Sequence, residues 1–308
     1  MKRRKFLQNS AIYGAGMMIA PSVMNMEKDL FFKISLAEWS FHKALFAKEI
    51  DHLDFAKIAK QQYGIEGVEY VNQFFKDKAK DMDYLKEMKM RAEGEGVRSL
   101  LIMCDGEGGL GDTNESQRKT AVENHYKWVE AAKFLGCHSI RVNAYGEGIA
   151  AEVASAAIDG LGSLAGFAKD YDLNVIVENH GGYSSNGKWL TDVMKQIDMP
   201  NCGTLPDFGN FCLKGTYENG KMTCEDMYDR YQGVSEMMPF AKAVSAKTHA
   251  FDASGNETET DYLRMMKIVK DAGYKGFVGI EYEGNVLSEA DGVRASKALL
   301  MKVGAELS

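Results

Sequence analysis

Along the chain, short unbroken apolar runs alternate with longer stretches in which apolar residues recur every three or four positions. A strand buried on both faces reads as a continuous apolar run, whereas a helix packed by one face repeats at i, i+3, i+4 and i+7. By this test 34–39 is a first strand. Leu53, Ala56, Ala59 and Tyr63 then keep helical spacing, and Gly64 closes that helix. Residues 67–71 form a second strand, a charged helix follows over about 82–92, and 97–103 is a third strand.

Val122, Tyr126, Val129 and Ala132 mark the next helix, which Gly136 stops ahead of a strand at 138–142. An alanine-rich helix at 152–169 leads into a strand at 173–178, and a helix at 188–197 leads into 202–205. Helices at 226–238 and 261–272 precede strands at 243–246 and 277–280. The last helix starts at Ser288, with Asp291 three residues on in capping-box spacing, and runs through Leu299 and Val303. Eight strands alternating with helices over 29–308, with no linker composition between them, predict one α/β domain, a (β/α)8 TIM barrel. A doubly wound open sheet shares this alternation, and periodicity does not separate the two.

Residues 1–28 stand apart from that pattern. Lys2-Arg3-Arg4-Lys5-Phe6-Leu7-Gln8 sets two arginines ahead of Phe-Leu, and a mild apolar run at 11–20 ends at Pro21. This is the pattern of a twin-arginine export signal and predicts a periplasmic protein exported in folded form. The run is too short and too glycine-dotted to span a membrane, so no span is expected after signal removal.

Formal net charge is −7, and four of the basic residues are Lys2, Arg3, Arg4 and Lys5, so the remainder is more acidic still. An acidic body without a basic patch argues against a nucleic-acid partner, whose phosphates require clustered Lys and Arg. Cys104, Cys137, Cys202, Cys212 and Cys224 lack any metal-binding spacing. Export permits a disulfide, with Cys212 and Cys224 the only pair close in sequence, but mostly free, buried thiols are expected.

The candidate chemistry lies at strand ends. The run Leu173-Asn174-Val175-Ile176-Val177 ends abruptly in Glu178-Asn179-His180-Gly181-Gly182. A strand buried on both faces carries a terminal carboxylate where a charge is wanted or where a neighbouring cation pairs with it. The sixth strand ends at Asp207, the seventh at His249 and the eighth at Glu281. In a barrel these C-terminal ends converge. Three converging carboxylates repel one another, and a divalent cation removes the conflict. Three carboxylates with one imidazole and no thiolate suit Mn2+, Mg2+, Co2+ or Zn2+.

The order Glu178, Asp207, His249, Glu281 resembles that of the xylose-isomerase-like barrel superfamily, the sugar phosphate isomerase/epimerase proteins, over roughly residues 31–305. In the ketose 3-epimerase branch such a quartet binds one divalent ion, and its two glutamates act as opposed acid/bases. The resemblance therefore implies metal ligation by Glu178, Asp207, His249 and Glu281, with proton transfer by Glu178 and Glu281. A metal polarising carbonyl and hydroxyl oxygens favours an enediolate, and a carboxylate on each face of the carbon allows inversion. The chain departs from that branch twice: Asn210 stands where a histidine is usual, and Ala250-Phe251-Asp252 where an arginine is usual.

Trp39 and His42 after the first strand, Glu69 ending the second, and His180, Asn210, Lys247 and Glu283 are candidate substrate-binding residues. Core packing competes for Trp39, a loop hydrogen bond for His180 and a carboxylate pair for Lys247. His52, His125 and His138 lie on helices or at strand starts, away from the chemistry. Gly106-Glu107-Gly108-Gly109-Leu110-Gly111 fits a dinucleotide-binding pattern, but a polar segment follows where a helix should begin, so it reads as a mobile third βα loop, a lid candidate. Asp207-Phe208-Gly209 lacks the other kinase motifs.

The leading expectation is a divalent-metal-dependent isomerase or epimerase of a small-molecule sugar or keto-sugar. A lyase or dehydratase on a keto-sugar or keto-glycoside uses the same enolate and is the nearest rival. A non-catalytic sugar-binding protein is the rival from another class, and a homo-oligomer is compatible with either. The superfamily's endonuclease branch is disfavoured by the acidity, the export signal and the missing extra histidines.

Overall fold

The computed structural model describes residues 30–218 and 221–308. The expected export signal at 1–28 lies outside the described residues.

Eight parallel strands follow the expected alternation. They are β1 (Lys33–Ala37), β2 (Gly67–Val71), β3 (Arg98–Met103), β4 (Ser139–Val142), β5 (Asn174–Glu178), β6 (Cys202–Leu205), β9 (Val244–Thr248) and β10 (Phe277–Tyr282). Hydrogen bonding orders them β6-β5-β4-β3-β2-β1-β10-β9. The open side is bridged between β6 and β9: Ser245 N–H donates to Pro206 O at 2.9 Å and Phe208 N–H to Ser245 O at 3.1 Å. The sheet thus closes into a barrel, which excludes the open doubly wound alternative.

Each barrel strand is followed by a helix: α1 (Phe55–Tyr63), α2 (Met82–Gly94), α3 (Glu115–Leu135), α4 (Ala150–Lys169), α5 (Gly187–Ile197), α6 (Arg230–Met237), α7 (Tyr262–Asp271) and α8 (Glu289–Leu307). Gly64 and Gly136 end α1 and α3 in the left-handed region, and the Ser288 hydroxyl caps α8 by accepting the Asp291 N–H, as the sequence predicts.

Period-two alternation divides the barrel strands between two environments. One set of side chains, including Val68, Ile140, Val175, Val244 and Ile280, packs against the helices in the main core. The other set faces the barrel axis, where only a small apolar cluster forms, with Val71, Leu101, Met103, Ile176 and Leu205 among it. Ser35, Glu69, Ser139, Arg141, Glu178, Ser245, Lys247 and Glu281 share that inward face and are buried. The barrel is therefore filled substantially with polar groups.

Two features depart from the sequence reading. An antiparallel hairpin, β7 (Cys212–Glu218) and β8 (Lys221–Met227), rises between β6 and α6, and the Cys212–Cys224 disulfide staples it. The hairpin occupies the residues expected to open the helix at 226. Instead α6 begins at Arg230, where the Asp229 carboxylate caps it by accepting the Gln232 N–H. The other three cysteines are free and buried.

The loop at 106–111 is anchored, contrary to its reading as a lid. Glu107 is buried, and its carboxylate accepts from Trp128 Nε1 at 2.9 Å and pairs with Lys127 Nζ at 2.8 Å. Gly108, at φ +103°, lies so close to α3 that a Cβ there would sit 2.8 Å from Ala121 Cβ.

Trp128 joins this anchor to the core, packing edge-on to Phe75 with ring centroids 5.2 Å apart. Trp128→Ala is expected to cost about 3–5 kcal/mol, the range for deleting a buried aromatic ring. Urea unfolding measures this, and a loss below about 1 kcal/mol would contradict the anchoring role.

Candidate active site

The acids predicted at strand ends five, six and eight converge. Glu178, Asp207 and Glu281 are all buried, and one oxygen from each lies within 4.8 Å of the others. Local sequence explains the placement. Glu178 ends β5, after which Gly181 and Gly182, at φ +90° and +59°, turn the chain away. Asn179 clamps β5 to the end of β6: its Oδ1 accepts the Asp207 N–H at 2.7 Å, and its Nδ2 donates to Asp207 O and Asn210 O, each at 3.0 Å. Asp207 Oδ1 accepts the N–H groups of Gly209 and Asn210 at 2.8 and 2.9 Å, which holds the carboxylate in a tight turn.

His249 lies outside this group. Ser245 and Lys247 alternate along one face of β9, His249 follows just past its end, and strand register decides which of them meets the acids. Asp207 pairs with Ser245 and Glu281 with Lys247, leaving His249 one pleat higher and half-buried. Ser245 Oγ lies 2.6 Å from Asp207 Oδ2 and 3.0 Å from Glu281 Oε2. The Lys247 ammonium is 3.2 Å from Glu281 Oε1, 3.2 Å from Glu283 Oε2 and 3.9 Å from Asp207 Oδ2.

Arg141, which the sequence reading passed over, is the second buried cation. Its Nη1 donates to Asp105 Oδ1 at 2.7 Å. Its Nε stands 2.8 Å from Glu178 Oε2, without the alignment of a hydrogen bond. Glu178 Oε1 accepts from Asn210 Nδ2 at 3.0 Å, whereas Oε2 has the Arg141 charge beside it but accepts no hydrogen bond. A lone arginine inside the strand 138–142 was the available signal, since only a facing acid makes a charge tolerable there.

Burial pushes the carboxyls of Glu178 and Asp207 above their ordinary range; Glu281 adds to both, while Arg141 opposes the rise at Glu178 and Lys247 opposes it at Asp207. Burial opposes the charges of Asp105 and Glu283, but Arg141 pulls Asp105 down to about 2, and Lys247 with Trp39 lowers Glu283. The centre thus sets two carboxyls that take up protons readily between two flanking acids that stay ionised.

The other predicted residues fall at different depths. Trp39 is half-buried at the mouth, its ring stacked on His42 at 4.8 Å, with Nε1 donating to Glu283. His180 is exposed on the β5 loop, and Asn210 joins Glu178 to Lys247 Nζ, which lies 3.4 Å from its Oδ1. Glu69 lies on the inward face of β2, accepting from Ser35 Oγ at 2.6 Å, and a side chain at Gly279 would collide with it. His52, His125 and His138 hold structural contacts elsewhere, with Glu38, Ala121 O and Ser139 Oγ respectively.

A divalent cation fits this donor set. Three buried carboxylates within 4.8 Å need only modest closure to reach the roughly 2 Å of a coordination bond, and Glu178 Oε2, paired with Arg141, accepts no hydrogen bond.

A sequence profile of the xylose isomerase-like TIM barrel family matches residues 56–303. The chain belongs to that family. No curated protein matches the sequence. Similar solved structures include a D-tagatose 3-epimerase-like protein, 16% identical, with 90% of this chain and 100% of that one covered at a TM-score of 0.67. The IOLI protein with a bound zinc atom is 12% identical, covers 89% and 99%, and also scores 0.67. The 3-keto-D-glucoside 4-epimerase of E. coli is 16% identical, covers 88% and 99%, and scores 0.62. At these identities the likeness is one of fold.

In this family member Glu69 makes a measurable pH effect. Burial raises its carboxyl from an ordinary 4.5 to about 7. A raised acid contributes stability that is complete below pH 4.5 and is lost as pH rises through about 7. Glu69→Gln keeps the neutral shape. It is expected to match the native protein in acid and to exceed it near pH 8 by on the order of 3 kcal/mol. Urea unfolding in chelator at both pH values reads the difference, and parallel pH profiles would refute it.

Proposed function

We propose that this protein is a divalent-metal-dependent isomerase or epimerase acting on a sugar or keto-sugar. The observation that carries the reading is the buried Glu178, Asp207 and Glu281 triad at the C-terminal mouth of the barrel, where barrel enzymes place their chemistry. Epimerase names among the similar folds agree with it.

In this reading Glu178, Asp207 and Glu281 hold the ion, which is Mn2+, Mg2+, Co2+ or Zn2+, and His249 flanks them from the rim. The ion would polarise a substrate carbonyl and hydroxyl, lowering the cost of removing the proton from the carbon between them. Glu178 and Glu281 exchange that proton, one taking it and the other returning it. Asn179 and Ser245 keep Asp207 in place, while Arg141 restrains Glu178. Trp39 offers an aromatic face for a sugar ring, and His42, His180, Asn210 and Glu283 offer polar contacts around it. Glu69 lines the inside of the barrel, held by Ser35. Export to the periplasm by the twin-arginine route agrees with the stapled hairpin, since disulfides persist in oxidising compartments.

A screen of ketoses and keto-glycosides in heavy water tests the reaction. A product of unchanged composition that carries solvent deuterium is expected, whereas loss of a β-substituent would mark a lyase instead. Glu178→Gln and Glu281→Gln should each lower exchange by about 100-fold or more, the usual scale for a positioned acid/base. Undiminished exchange in both variants would defeat the assignment. For export, Arg3→Lys with Arg4→Lys should trap the protein in the cytoplasmic fraction; unchanged periplasmic yield would reject that route.

A further inference from the structure

The position on β9 that stands level with Glu281 carries a lysine. Register puts Lys247 beside Glu281, and its side chain, 2% exposed, ends among Glu281, Glu283, Asp207 and the Asn210 side-chain oxygen Oδ1. An ammonium has no lone pair to offer a metal. Its contacts with Asp207 Oδ2 and Glu281 Oε1 use two carboxylates of the very triad that would hold the ion. A divalent cation drawn to those oxygens therefore approaches a fixed positive charge and must displace its contacts.

We propose that Lys247 is a built-in counter-cation of the acid cluster, competing with the divalent ion for Asp207 and Glu281. The inference rests on the metal reading of the same triad. Two consequences follow. The cluster is partly neutralised without metal, so the native fold does not depend on the ion. Metal binding is weaker than three carboxylates alone would give, and when the ion enters, the ammonium retains Glu283 at the mouth, whose side chain is 27% exposed.

The test compares Mn2+ affinity and thermal unfolding of the full-length native protein and Lys247→Met, each stripped of metal. Free Mn2+ is followed by its electron paramagnetic resonance signal. Lys247→Met is expected to bind Mn2+ at least about 10-fold more tightly, a change of about 1.4 kcal/mol. It should also unfold at lower temperature in EDTA and recover with Mn2+, while the native protein changes little between the two. Equal or weaker Mn2+ binding by Lys247→Met overturns the proposal, as does a native protein that loses stability in EDTA to the same extent. If Lys247→Met does not fold, Lys247→Met with Glu283→Gln, compared with Glu283→Gln alone, removes one charge of each sign and carries the same expectation. Mn2+ binding by the lysine variant but not by the native protein supports the competition while removing metal from the native reaction. Absence of binding in every protein overturns both readings.

Discussion

Negative charge confined inside a closed barrel is the constraint around which this molecule is arranged. Glu69, Glu178, Asp207 and Glu281 are all buried, and moving unpaired carboxylates out of water costs far more than a domain's net stability. The structure meets that cost in three ways: Arg141 and Lys247 bring positive charge, Ser35, Ser245 and Asn210 donate hydrogen bonds, and burial raises the carboxyls of Glu69, Glu178 and Asp207 so that they take up protons more readily. A divalent ion at the triad would be a further way.

The same interactions aim the side chains. Asn179 accepts from and donates to the backbone at 207 and 210, so the β6 loop is locked to the end of β5 although no regular ladder continues there. Ser185 adds a hydrogen bond to Asn210 O at 2.6 Å. Positioning of this kind matters because a proton-transfer carboxylate misplaced by about an ångström loses much of its effect. The stapled hairpin extends from the loop that carries Asp207 and Asn210, and Phe211, which leads into it, is fully buried.

One departure from the ketose epimerase pattern, Asn210, acquires a structural meaning in this light. Asn210 bridges Glu178 and Lys247 and so belongs to the charge network. Lys247 fills the level of β9 that pairs with Glu281, and His249 lies outside the acid cluster. The positive charge of the site thus comes partly from the chain itself, with a neutral amide bridging one acid to the lysine.

Much of the architecture was legible because it depends on short-range periods. Apolar runs and 3.6-residue repeats locate all eight barrel strands and their helices, and the abrupt polar ends at Glu178, Asp207 and Glu281 mark the acids. The hairpin was missed because 212–227 lacks a clean alternation, with charged and apolar residues mixed on both faces. Arg141 was missed because one cation in an apolar strand has no partner visible in sequence. In sequence the seventh strand reads as ending at His249, and nothing local says whether Ser245, Lys247 or His249 is level with Glu281. The sequence by itself determined the alternating elements and the strand-end carboxylates, since each follows from residues close together along the chain. Only the tertiary structure decided that Arg141 and Lys247 meet those acids while His249 lies outside their cluster, since strand register and barrel closure join residues dozens of positions apart.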